Sequence, residues 1–264
     1  MLKHHEESIR KCIEYFSTNS AVLAVVLGGS VAKGLERPDS DIDAEVIVTD
    51  EYYDELRREN RTAESIFGEC TYEGGYFDVK YFTKSFLRAA AERGSEPARN
   101  QWVKARCLYS RDAEIAELIP RIGVFQESER AEKSDSFYSA LWLTYHYFWQ
   151  VSKDDIYLRL HSAVDIVLFG YRLLLEDNRV LFPCHKSLHI AVAALPGQNK
   201  PAGIEAKSDR LLKEMSDEAA ADFVDSILSF IEYRSSENLN EVISRYTDDF
   251  ELWWYNQRPV IAEW

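Results

Sequence analysis

Apolar residues recur at helical spacing at Ile9, Cys12, Ile13 and Phe16, which predicts an amphipathic helix over residues 4–17 ending in the turn-forming run Ser17-Thr18-Asn19-Ser20. Ala21 to Leu27 is apolar on both faces and rich in valine, the pattern of a central strand covered on both sides, and Gly28-Gly29-Ser30 stops it. A short helix is expected from about Ser30, then a turn through Glu36-Arg37-Pro38-Asp39-Ser40 and a second strand from Asp41 to Val48. Residues 50–67 are expected to be helical, and Tyr76 to Phe82 to form a third strand. Helix and strand thus alternate, an α/β pattern with a small mixed sheet and covering helices.

The pattern changes after Leu118-Ile119-Pro120, which is expected to end a segment. From about Asp135 the spacing is helical throughout, with Tyr138, Leu141, Trp142, Tyr145 and Trp149 on one stripe. A second helix is expected over Ile156–Glu176 and others near 205–215, 218–234 and 238–255, which together read as an all-α helical bundle. Gln126 to Ser134 is charged and lacks apolar periodicity, so the expected domains are residues 1–125 and 126–264.

Composition narrows the function classes. A net charge of -14 opposes extended contact with a phosphate backbone. Residues 1–125 carry 17 basic and 22 acidic side chains and residues 126–264 carry 14 and 23, so the helical half has the larger deficit and suits a cationic ligand. Cys12, Cys70, Cys107 and Cys184 show neither paired nor zinc-ligand spacing, and reduced thiols are expected. Residues 1–16 lack the apolar core of a secretion signal, and no apolar run approaches the ~20 residues that span a bilayer, so a cytoplasmic location without membrane contact is expected.

The chemistry concentrates between residues 28 and 78. A glycine pair at a strand-to-helix turn exposes backbone N–H groups to phosphate oxygens, although neither a Walker loop nor a dinucleotide fingerprint is present. Asp41 and Asp43 lie ten or more residues beyond Ser30. In a strand, residues two apart share one face at about 6.6 Å, so two carboxylates point the same way. Such a pair can bracket two Mg²⁺ ions, which take hard oxygen ligands. Asp78, between Phe77 and Val79, is placed to face the same site from the next strand. Asp39-Ser40-Asp41 also has the composition of a plain turn, but an acid within a strand, as Asp43 is, needs a partner or a metal.

Gly29-Ser30, Asp41-x-Asp43 and the later Asp78 resemble the nucleotidyltransferase superfamily of the DNA polymerase β type, over residues 21–82. Length and the helical second half are similar to its small-molecule members, the kanamycin and lincosamide nucleotidyltransferases. The resemblance implies that Gly29 and Ser30 hold the terminal phosphates of a nucleotide and that Asp41 and Asp43 bind both metals. Asp78 would be the third ligand or the base on the attacking hydroxyl, and Lys33 falls where related enzymes place a basic residue for phosphate. His185 and Lys186, in Phe182-Pro183-Cys184-His185-Lys186, correspond to a loop that approaches the nucleotide in relatives; a helix start with a solvated lysine is the competing account.

The expected function is Mg²⁺-dependent transfer of a nucleoside monophosphate, AMP from ATP, to a hydroxyl of a small molecule such as an aminoglycoside-like antibiotic, with release of pyrophosphate. The acceptor is expected in a cleft between the two domains. The alternatives are adenylylation of a protein or RNA partner of toxin-antitoxin type and a nucleotide-binding module without turnover; a homodimer stays open. Glu45, on the face of Asp41 and Asp43, is expected to pair with a cation at the sheet's surface, and Lys80 to meet either phosphate or a salt-bridge partner. Trp142 and Trp253-Trp254-Tyr255 are expected in a core or an interface.

Overall fold

A computed structural model describes residues 1–233 and 238–264. The chain divides into two compact units, Met1–Val124 and Phe125–Trp264.

In the first unit the order is α1 (Lys3–Ser17), β1 (Val22–Leu27), α2 (Gly29–Lys33), β2 (Ile42–Val48), α3 (Asp50–Arg58), β3 (Ala63–Phe67), β4 (Tyr76–Thr83), α4 (Lys84–Arg93), α5 (Glu96–Gln101), β5 (Arg106–Ser110) and α6 (Ala113–Ile122). The strands form one mixed sheet in the order β3-β4-β2-β1-β5, with β2 and β4 parallel and the other neighbours antiparallel. Side-chain alternation divides the core between its two faces. Val25, Leu27, Val46, Phe77 and Val79 pack with Ile9, Cys12 and Phe16 of α1 and Leu56 of α3. Ala24, Val26 and Ile47 pack on the opposite face with Leu87 of α4, Trp102, and Ile115 and Leu118 of α6.

Two expectations about this unit are corrected. The helix expected over 50–67 stops at Arg58: Thr49 caps its start by accepting from Tyr52 N–H, and Asn60 turns the chain with φ 56°. Ala63–Phe67 is then the edge strand β3, paired antiparallel to β4. No residue of β3 is fully buried, so it lacks the apolar alternation that announces a strand. Pro120 does not end α6, which continues to Ile122; its ring sits in the last turn, where only two helical residues follow the backbone hydrogen bond it removes.

The second unit contains α7 (Arg130–Leu143), a π turn at Thr144–Phe148 that leads into α8 (Trp149–Val151), α9 (Ile156–Asp177), α10 (Leu188–Ala193), α11 (Ile204–Glu214), α12 (Asp217–Phe230) and α13 (Leu239–Tyr246). Asp155 caps α9 by accepting from Leu158 N–H at 3.1 Å, and the helix is buried on nearly every side from Ser162 to Glu176. Around it pack Phe137 and Leu141 of α7, Val192 of α10, Leu211 of α11, and Phe223 and Ile227 of α12. Gln126–Ser134 is not an unstructured connection, since α7 begins at Arg130, where the buried Lys133 pairs with Glu129 at 3.1 Å. The helix expected over 218–234 ends at Phe230, and residue 234 lies outside the described residues. The helix expected over 238–255 becomes a π turn at Thr247, and Trp254 and Tyr255 are exposed rather than core. Among the described residues no helix is long and apolar enough to cross a membrane.

Candidate active site

On β2 the side chains of Asp43, Glu45 and Ile47 share the face that carries α4 and α6, in line with Asp41 just before the strand. The helices cover Ile47, and Asp41 and Asp43 lie beyond the apolar layer, half-buried at the open end of the sheet. Parallel pairing sets Asp78 of β4 opposite Asp43 and Lys80 opposite Glu45. Asp41, Asp43 and Asp78 therefore meet at one sheet end, with Phe77 and Val79 buried on the other face.

The turn before α2 closes over this end. Gly28 N–H donates to the Asp43 carbonyl at 3.0 Å, which brings the turn directly onto β2. Gly29 adopts φ +61°, and a Cβ there would collide with the Asp43 carboxylate and lie 2.8 Å from its Cβ. At five residues α2 has little summed dipole, so backbone N–H groups and the Ser30 hydroxyl, rather than a helix field, are what the turn offers an anion.

Burial, then the charges of Asp41 and Asp78, push the Asp43 carboxyl up to about 6, while Lys80 and Lys33 act in the opposite direction. Crowded oxygens of one sign under a turn without side chains are a donor set that suits a hard divalent cation. Among the described residues no group of three or more His, Cys, Asp or Glu side chains is closed up as a metal site. Mg²⁺ is commonly held by one or two carboxylates and completed by substrate phosphates and water, so Asp41 and Asp43 fit it without a full protein cage.

Other residues were placed differently from expectation. Glu45 is not at the surface: it is 1% exposed, accepts a hydrogen bond from Gln101 Nε2 of α5, and is pushed up to about 7 chiefly by burial. Its Oε2 has no hydrogen-bond partner among the described residues. α5 escaped sequence reasoning, and its last residue covers this carboxylate. Lys33 Nζ donates to Asn100 Oδ1 at 3.0 Å, which ties α2 to α5. Tyr76 was not foreseen either. Its hydroxyl is pushed up to about 12, mainly by the Asp41 carboxylate. An aromatic residue two before Asp78, on its own side of the strand, was the available signal.

His185 and Lys186 belong to the second unit, where both are exposed in a 3₁₀ turn before α10, and His185 Nε2 lies 3.1 Å from Glu263 Oε1.

A family model described as nucleotidyltransferase domain matches residues 9–89. Among solved structures, the chain is similar to a nucleotidyltransferase-like protein from Exiguobacterium sibiricum 255-15, at 12% identity and a TM-score of 0.42 over 97% of this chain and 81% of that one. It is also similar to spectinomycin adenyltransferase AAD(9) from Enterococcus faecialis, solved with ATP and spectinomycin, at 15% identity and a TM-score of 0.35 over 92% of this chain and 96% of that one. A search of curated proteins found no match. The matched segment runs from α1 into α4 and contains the Gly28-Gly29-Ser30 turn and all three aspartates. Residues 9–89 are therefore similar to the nucleotidyltransferase domain family.

Proposed function

We propose that the chain transfers AMP from ATP to a hydroxyl of a small molecule and releases pyrophosphate. The observation that carries this reading is the seating of Gly29 directly against Asp43, itself crowded by Asp41 and Asp78: a turn without side chains over converging carboxylates is a place for a metal-bound triphosphate. Asp41 and Asp43 would hold Mg²⁺, two ions in the full reading, with Asp78 as a third ligand or as the base. When bound, Mg²⁺ supplies the positive charge that neutralises the triphosphate and stabilises the leaving pyrophosphate.

The protein groups do the rest by position. The Gly29-Ser30 backbone and the Ser30 hydroxyl hold phosphate oxygens. The acceptor oxygen attacks the α-phosphorus, the bond to the bridging oxygen of pyrophosphate breaks, and Asp78 takes the acceptor's proton. Lys33, held by Asn100 near the turn, adds positive charge there. The acceptor class is a cationic, hydroxylated compound of aminoglycoside type, supported by the -14 net charge and its concentration in the helical half.

The test is pyrophosphate release from ATP and Mg²⁺ against a panel of cationic and neutral hydroxylated acceptors. Release that requires both metal and an acceptor, and is lost in Asp41→Asn and Asp43→Asn, is the expected result. Turnover that survives either substitution refutes the metal assignment, and binding of only neutral compounds, insensitive to salt, refutes the acceptor class.

A further inference from the structure

Asp41 precedes β2, so the strand does not fix its backbone by itself; the turn in front of it, residues 36–40, has to be held from elsewhere. Within the turn Ser40 Oγ accepts from Arg37 N–H at 2.9 Å, and Ser40 N–H donates to the Arg37 carbonyl at 3.1 Å. Two side chains distant in sequence then grip it from outside. His4 Nε2 donates to the Pro38 carbonyl at 3.0 Å, and the Tyr72 hydroxyl donates to the carbonyl of Ser40, the residue directly before Asp41.

Tyr72 is itself held on several sides. Its ring packs against His4 and His5, with centroids at 4.6 and 5.1 Å. The preceding residue is stapled to α1: Thr71 N–H donates to Ser8 Oγ at 3.0 Å, and Thr71 Oγ1 donates to the His4 carbonyl at 3.1 Å. Gly75 makes room for the ring, because a Cβ there would come within 2.6 Å of the Tyr72 ring carbons and 2.9 Å of Cys70 Cβ. The connection between β3 and β4, the start of α1 and the turn before Asp41 thus form one hydrogen-bonded assembly, and the Tyr72 hydroxyl is its contact nearest to the carboxylates.

We propose that Tyr72 is a positioning residue for the active site: by holding the Ser40 carbonyl it fixes the backbone from which Asp41 presents its carboxylate beside Asp43. This rests on the metal-binding reading of Asp41. Tyr72 does not touch substrate or metal; it acts through Ser40. The packing that buries its ring serves stability, whereas the hydroxyl serves the placement of one ligand. Partners that orient a metal ligand from behind are typically worth roughly ten- to a hundredfold in metal affinity or activity.

Tyr72→Phe keeps the ring and its packing and removes only the donor, and Gly75→Ala reaches the same hydroxyl by displacing the ring. Mn²⁺ is the probe, titrated into the full-length protein and followed by electron paramagnetic resonance, with Asp41→Asn as reference. Tyr72→Phe should weaken Mn²⁺ binding roughly tenfold or more, with Gly75→Ala acting in the same direction. In pyrophosphate release at saturating Mg²⁺, kcat should fall while KM for ATP stays within about twofold, because the phosphate-binding turn is untouched. The thermal midpoint in EDTA should move by a few degrees at most, about what one lost hydrogen bond costs. Wild-type Mn²⁺ affinity in Tyr72→Phe, with weaker binding in Asp41→Asn, overturns the proposal alone. Unchanged Mn²⁺ affinity in Asp41→Asn overturns the reading of Asp41 and this proposal with it.

Discussion

Gly29→Ala adds one methyl group at the point where the chain has least room. Two costs are separable. The residue occupies φ +61°, and a side chain in the left-handed region costs roughly 1–2 kcal/mol. The new Cβ also meets Asp43. Rotating the carboxylate away relieves the overlap with its oxygen and Cγ, but the Asp43 Cβ at 2.8 Å moves only with the backbone of β2, and such overpacking costs typically about 1–3 kcal/mol. The sum is roughly 2–5 kcal/mol, a large share of the 5–15 kcal/mol that holds an ordinary domain together. Urea denaturation at fixed pH in EDTA measures it. The diagnostic quantity is the coupling: in an Asp43→Ala background the carboxylate is gone while the backbone strain and the Cβ contact remain, so Gly29→Ala should cost about 1 kcal/mol less there. Equal losses in the two backgrounds would show that the Asp43 carboxylate is not part of what Gly29 avoids. A loss below about 1 kcal/mol in the native background would show that the turn adapts, and the case for a tight cradle would fail.

Three further outcomes follow from the same geometry. Because the Asp43 carboxyl is raised to about 6, above its ordinary value, ionising it is less favourable in the folded state; in EDTA the metal-free protein should lose up to about 2–3 kcal/mol as pH rises from 4 through 6. Asp43→Asn should remove the Asp43 share of that decline, leaving the share of Glu45, while abolishing transfer, and an unchanged pH profile of the urea midpoint would refute the raised Asp43 carboxyl. Ser30→Ala should weaken triphosphate binding by about 1–3 kcal/mol in calorimetry with Mg²⁺ present and leave turnover recoverable at high ATP; wild-type affinity would remove Ser30 from the phosphate contacts. Gln101→Ala leaves the buried Glu45 without its hydrogen-bond donor and should lower stability by roughly 1–3 kcal/mol at pH 8, an effect that Glu45→Met in the same background should largely erase.

Much of the first unit is legible along the chain because its signals are local. The apolar run of Val22–Leu27, the alternation around Phe77 and Val79, and glycines followed by Asp41 and Asp43 each depend on residues a few positions apart, and each appears in the structure on the expected kind of element. The same holds for α9, whose 22 residues give a long periodic signal, capped by Asp155. Elements that lean on neighbours were not legible. β3 has no buried face of its own and is a strand because β4 offers it an unpaired edge. The sequence could place Asp43 and Asp78 on strands, but only the parallel register of β2 with β4 makes them opposites, since a slip of one residue would turn one carboxylate into the apolar face. Glu45 has the surroundings of a surface acid in one dimension and becomes a buried one because α5 folds across it with Gln101. Tyr72 reaches Ser40 across 32 residues and the Thr71 hydroxyl reaches the His4 carbonyl across 67, distances that no local pattern records. Spacing along a strand decides which side chains share a face; pairing, packing and loop closure decide what they face, because those energies arise only between segments that folding has already brought together.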